Sequence, residues 1–209
     1  MLTVVRSALL AASLLTIAAC DDSKPSTTTE QAPSRFNAPK KAQANQAATS
    51  FCEKTWPAGE GAKVFTPPAE KPLPNGSSAP SFVAGKGWTW VNLWATWCRP
   101  CVEEMALLDT WQKSLQKDGL PLALELYSVD DDTNDLAGWL KKGTTPGTVR
   151  WLKGGAGDLP AVLESLGVEK NSPIPVHALV DGNGNLRCAR VGSVHTEDYA
   201  AIKSIIAGG

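Results

Sequence analysis

The segment WTWVNLWATWCRPC (88–101) limits the fold of this chain more than any other stretch. Residues 88–96 carry no charge and are rich in aromatic and β-branched side chains, the composition of a buried strand. Pro100 suits the first turn of a helix, where its missing N–H is no loss. Cys98 and Cys101 therefore sit where a buried strand gives way to a helix, one turn apart. Such a pair can be a redox couple, half of a metal site or a structural staple. The junction favours the first, because unpaired N–H groups and the positive end of the helix dipole stabilise a thiolate on Cys98. Arg99 adds a nearby positive charge, and Trp97 shields one side of the sulfur. Cys98 is thus the candidate nucleophile, and Cys101, less exposed, the resolving thiol that releases a substrate from a mixed disulfide.

The helix is expected to run from near Pro100 to a stop at Gly119, with Lys113 and Lys117 toward its C-terminus. At about 100° per residue, Cys101, Met105, Leu108, Trp111 and Leu115 share one face. Glu104 falls on that same apolar face, whereas Glu103 and Asp109 project to its margins or to solvent. A carboxylate half-buried beside two cysteines has a raised pKa, which makes Glu104 a candidate proton acceptor for Cys101.

Downstream, LPLALELYSV (120–129) reads as a second strand and DDTNDLAGWLKKG (131–143) as a short capped helix. GTVRWL (147–152) reads as a short strand and GDLPAVLESLG (157–167) as a helix. PVHALVDGNGNLRCARVGS (175–193) has the pattern of a β-hairpin turning at 181–185, and Thr196 can cap a last helix ending near Ala207. This alternation predicts an α/β fold, a sheet with helices on both faces.

The N-terminus has a different character. Arg6 is the only charge in the first 20 residues, and SALLAASLLTIAA (7–19) is too short for a comfortable membrane span but fits the apolar part of a signal peptide. Its end, IAAC (17–20), resembles the bacterial lipobox, which implies lipidation of Cys20; Asp21 resembles the signal that retains lipoproteins at the inner membrane. The expected organisation is a signal peptide (1–19), a lipidated N-terminus and flexible linker (20–50), an irregular Pro-rich extension (51–80) with a short strand at AKVF, and the main domain (81–209). The balance of 20 basic against 21 acidic residues argues against a nucleic-acid binder.

VNLWATWCRPCVEEM (91–105) resembles the active-site segment of the TlpA/ResA-like family of membrane-anchored thioredoxin-fold thiol-disulfide oxidoreductases. LGVEKNSPIPVHALVDGNGNL (166–186) resembles their second signature more loosely, with Val176 and His177 where threonines are usual. The resemblance covers roughly residues 80–209. It implies a thioredoxin-like fold with a central mixed β-sheet flanked by helices, and redox use of the Cys98–Cys101 pair. It also implies Glu104 as the family's glutamate, where thioredoxin itself uses an aspartate on the preceding strand at the place of Asn92. Pro175 becomes the candidate cis-proline, with Pro173 as competitor, and Ile174 the residue whose backbone meets the substrate chain; Trp97 and Arg99 complete the substrate-binding set. Ala106 departs from the family, which usually has a proline there. His177 reads as a strand residue near the site rather than a catalyst.

Cys52 and Cys188 remain. In an oxidising compartment they are expected to form a structural disulfide tying the extension to the sheet, the alternatives being two free thiols or an auxiliary redox pair. No spacing among Cys52, Cys188, His177 and His195 completes a zinc site. The expected function is a protein disulfide reductase of the cell envelope, a monomer lipid-anchored on the periplasmic side of the inner membrane and needing no cofactor. Its partners would be client proteins with cysteines or disulfides, of the cytochrome c maturation or copper-site assembly type, and a membrane thiol-disulfide electron donor. The alternative is a copper-binding metallochaperone on the same fold, since thiolates are soft ligands.

Overall fold

The structure is a computed structural model, and it describes residues 40–85, 87–143 and 145–208. The expected signal peptide, Cys20 and the first part of the linker (20–39) lie outside the described residues. In chain order the elements are α1 (Lys40–Phe51), three two-residue strands β1 (Lys54–Thr55), β2 (Lys63–Val64) and β3 (Glu70–Lys71), then β4 (Trp88–Trp94), α2 (Arg99–Lys117) and β5 (Leu122–Ser128). There follow α3 (Thr133–Lys141), β6 (Thr148–Leu152), α4 (Leu159–Ser165), β7 (Val176–Val180), β8 (Asn185–Val191) and α5 (Tyr199–Gly208), with single 3₁₀ turns entering α4 and α5.

Every residue of β4 is buried, as its uncharged sequence requires. It lies mid-sheet, parallel to β5 on one side and antiparallel to β7 on the other. β6 extends the sheet parallel to β5, and β8 closes the hairpin antiparallel to β7. The result is the mixed sheet expected, its order β1-β8-β7-β4-β5-β6-β3 with β2 also on β8. The extension thus borders both sides of the sheet. At the β6 side, Arg150 reaches Glu70 on β3 at 2.8 Å and Glu125 on β5 at 2.6 Å, so the charge buried there is paired twice.

The long helix α2 forms for local reasons. Pro100 stands in its first turn, and Cys98 is its N-cap, with extended backbone and a sulfur facing the Cys101 N–H at 3.4 Å. Its buried residues are Cys101, Glu104, Met105, Leu108, Trp111 and Leu115, the face the periodicity marks out. Gly119 ends it at φ +73°, a left-handed conformation that glycine adopts without a Cβ penalty. Ala106 keeps the N–H a proline would lack, and the helix passes through it unbroken.

The linker expectation is corrected over residues 40–50, which are helical. The stretch is poor in large apolar residues, but Ala, Gln and Lys are strong helix formers. It needs only a narrow contact, which α5 supplies. Ala44 and Phe51 are the residues buried, and the Phe51 ring meets Trp90 edge-on with centroids 6.4 Å apart.

Candidate active site

Cys98 and Cys101 are joined as a disulfide at the N-terminus of α2, with Cα atoms 5.3 Å apart. Cys98 retains 5% of its exposure and Cys101 none, so an incoming sulfur reaches Cys98 first. Two other segments fix this end of the helix. The Ile174–Pro175 peptide is cis, and the Ile174 carbonyl oxygen lies 3.8 Å from Cys98 Sγ. On the β5 side, buried Asp130 accepts the Thr96 N–H at 3.1 Å and the Thr96 hydroxyl at 2.7 Å, and Ser128 donates to it at 2.6 Å. The segment leading into the cysteines is thereby anchored to the neighbouring strand.

Trp97 stands 63% exposed beside the pair. With Thr96, Asn134, Asp135, Trp139 and Lys142 it lines a groove of about 390 Å³. Arg99 is turned to solvent and bonds Glu103 at 2.6 Å, so much of its charge is neutralised locally. The field at Cys98 therefore comes mainly from the helix N-terminus.

Behind the disulfide, Glu104 is 4% exposed. Its Oε1 accepts a hydrogen bond from Asn92 Nδ2 at 3.0 Å, and its Oε2 accepts from the Val194 backbone N–H at 3.0 Å. Burial pushes its pKa up to about 7, while the Val194 N–H, the Asn92 amide and the Arg190 guanidinium hold it back. On the same helix face, Cys101 lies one turn earlier, the spacing at which side chains meet. A carboxyl poised near neutrality beside a buried thiol is suited to accept and return a proton there.

The strand register adds what surrounds Glu104. Asn92 on β4 is directly opposite His177 on β7, and His177 is directly opposite Arg190 on β8. Directly opposed residues share a sheet face, so Asn92, His177 and Arg190 form one polar row across three strands. Asn92 Nδ2 is 3.1 Å from His177 Nδ1, which Trp90 Nε1 also approaches at 3.1 Å.

Comparison with known proteins follows from this geometry. No protein-family model matches the chain. Over 133 residues it is 27% identical to the thiol-disulfide oxidoreductase ResA of Bacillus thuringiensis subsp. konkukian, covering 56% of this chain and 69% of that protein. The ResA of Bacillus cereus matches equally. A thioredoxin-related protein from Neisseria meningitidis serogroup B superposes with a TM-score of 0.51 at 19% identity, over 65% of this chain and 96% of that one. A thioredoxin-family thiol:disulfide interchange protein from Chlorobium tepidum gives a TM-score of 0.51 at 18% identity, over 72% and 97%.

The chain is a thiol-disulfide oxidoreductase of the thioredoxin fold, similar to ResA over 133 residues.

The site expected from sequence gathers around one helix end: Trp97 and Arg99 exposed, Ile174 half-buried, Cys98 at the edge of solvent, and Cys101, Pro175 and Glu104 buried. Cys52 and Cys188 lie apart from it, joined as a disulfide between the end of α1 and β8. Sequence reasoning missed Asp130, Val194 and Arg190 and undervalued His177 and Asn92. A polar residue inside an otherwise apolar strand was the available signal for the last two; what each faces depends on register. Among the described residues no helix is long and apolar enough to cross a membrane.

Proposed function

We propose that this oxidoreductase reduces protein disulfides in the bacterial envelope, anchored by a lipid on Cys20 to the periplasmic side of the inner membrane. The observation that carries the reading is the exchange-ready pair with a buried carboxyl behind it: Cys98 at the helix N-terminus, Cys101 covered, and Glu104 near neutrality.

In the reduced protein the Cys98 thiolate attacks one sulfur of a client disulfide. A mixed disulfide forms, and the other client sulfur leaves as a thiolate that takes a proton from water. Cys101 then passes its proton to the Glu104 carboxylate and attacks Cys98 Sγ. The second client sulfur departs, the client has gained two electrons, and the domain is left as the disulfide seen here. A membrane thiol donor returns the two electrons, and Glu104 gives its proton back to Cys101. Trp97 and its groove, together with the Ile174 backbone, are placed to hold the client chain. Clients of the cytochrome c maturation or copper-site assembly type fit a reductase working among oxidants.

A redox titration against glutathione tests the direction. A potential toward that of thioredoxin, about −270 mV, supports a reductase, and one near that of DsbA, about −120 mV, overturns it. For the anchor, Cys20→Ser is expected to release the protein from the membrane fraction of its bacterial host; retention overturns the lipid.

A further inference from the structure

The mechanism above uses Glu104 but leaves a buried histidine beside it unused. His177 is 1% exposed, on the strand that begins directly after Pro175. Its neighbours dictate its tautomer. An indole N–H only donates, so Trp90 Nε1, 3.1 Å from His177 Nδ1, makes that nitrogen an acceptor. The Asn92 amide donates to the same nitrogen at 3.1 Å while its other hydrogen serves Glu104 Oε1 at 3.0 Å. With Nδ1 engaged as an acceptor, the ring proton of a neutral imidazole is on Nε2. That atom has no hydrogen bond of good geometry and lies 3.5 Å from Glu104 Oε1.

We propose that His177 is a positioning residue for the exchange reaction: a neutral imidazole, oriented by Trp90 and Asn92, that presents its Nε2–H to the carboxylate of Glu104 and so sets the proton affinity of the group that serves Cys101. The proposal rests on the reading of Glu104 as proton acceptor. Two N–H groups bond the carboxylate, from Asn92 and Val194, and the His177 Nε2–H stands 3.5 Å away as a third able to favour its charged form against the cost of burial. The imidazole stays neutral because burial strongly disfavours its charge, and the Arg190 guanidinium adds to this; a backbone contact with Gly192 acts the other way. The charged and titratable groups facing Glu104 are His177 from β7, Arg190 from β8 and Cys101 on its own helix, while β4 offers the neutral Asn92. Arg190 is itself held by the Phe51 carbonyl at 3.1 Å, the Ser193 carbonyl at 3.3 Å and the Asp198 carboxylate at 3.6 Å, so its charge is a fixed background. His177 is the neighbour whose N–H can tighten onto the carboxylate as it ionises and relax as it protonates.

The test is the titration of the Glu104 carboxyl by carbon NMR in the oxidised protein, with the pH profile of single-turnover disulfide reduction by the reduced protein. In His177→Leu, which removes the N–H, the Glu104 midpoint is expected to rise by about one pH unit, and the pH profile to move the same way. His177→Gln, whose amide can still donate, is expected to restore most of the shift. In a Glu104→Gln background, His177→Leu is expected to leave the pH profile unmoved. A Glu104 midpoint unchanged in His177→Leu, or shifted as far in His177→Gln, overturns the proposal. Nitrogen NMR of the native protein answers independently of whether the variants fold. It is expected to show the Nε2–H tautomer from pH 5 to 8, and an Nδ1–H tautomer or an imidazolium in that range overturns the proposal. A pH profile insensitive to Glu104→Gln removes instead the role given to Glu104, while the carboxyl titration still reports on His177.

Discussion

Two disulfides in this domain show how far surroundings decide what a cysteine pair does. Cys98–Cys101 spans three residues at the open end of a helix, with one sulfur bordering solvent and a buried carboxyl of raised pKa behind. Cys52–Cys188 spans 136 residues; Cys188 is 1% exposed, packed in the cluster of Trp88, Trp90 and Leu179. The second pair has no helix N-terminus to stabilise a thiolate. The short bridge constrains little of the unfolded chain and stands at a helix N-terminus; the long one constrains much of it, with its Cys188 end buried and its Cys52 end half-buried.

The sharpest way to break the comparison is to abolish each bridge in turn. Cys98→Ser is expected to abolish reduction of a protein disulfide in a turbidity assay with insulin, while the thermal midpoint of the protein falls little. The double variant Cys52→Ser, Cys188→Ser is expected to do the reverse. It should keep its exchange activity but lose up to about 5 kcal/mol in urea denaturation, on the loop-entropy account of a bridge spanning 136 residues. Loss of activity in the folded double variant would make Cys52–Cys188 an auxiliary redox pair.

The next effect separates the polar site from the apolar surroundings of the long bridge. In the oxidised protein Glu104 titrates near 7 instead of 4.5, so its stabilising contribution is full below pH 4.5 and lost as the pH rises through 7. His177 titrates near 3 instead of 6.5, so its contribution is present above pH 6.5 and lost as the pH falls through 3. Between pH 4.5 and 6.5 the native state therefore holds one proton more on Glu104 and one fewer on His177 than the unfolded chain, and the two slopes cancel. Removing either partner exposes the other. Glu104→Gln is expected to gain stability as the pH rises across this window, and His177→Leu to lose it, each by about 3 kcal/mol relative to the native protein in denaturation series at fixed pH. Parallel slopes in the two variants would contradict the assignment. The smallest effect is expected at the rim of the short bridge: Trp97→Ala should weaken client binding by about 1 kcal/mol, read as a higher KM at unchanged kcat.

Much of this site was legible before any fold was known, and for local reasons. The strand-to-helix junction follows from an uncharged apolar run meeting Pro100, and Glu104 was found because helical periodicity places it with Cys101 and Met105. The helix at 40–51 is not legible in the same way: low apolar content points to a flexible linker, yet Ala-rich polar sequence needs only one covered side to remain helical.

By itself, then, the sequence determined the cysteine pair, its helix and the inward carboxyl, all matters of spacing within a single element or at its end. Only the tertiary structure decided which residues Glu104 meets. Asn92 and His177 are 85 residues apart in the chain, and their contact exists because β4 and β7 pair antiparallel in one particular register. A shift of one residue would turn His177 to the other face of the sheet. The same physics keeps Cys52 and Cys188 together: β1 and β8 pair in a register that sets Cys188 opposite Thr55, close to the end of α1, and that proximity is encoded in neither segment alone.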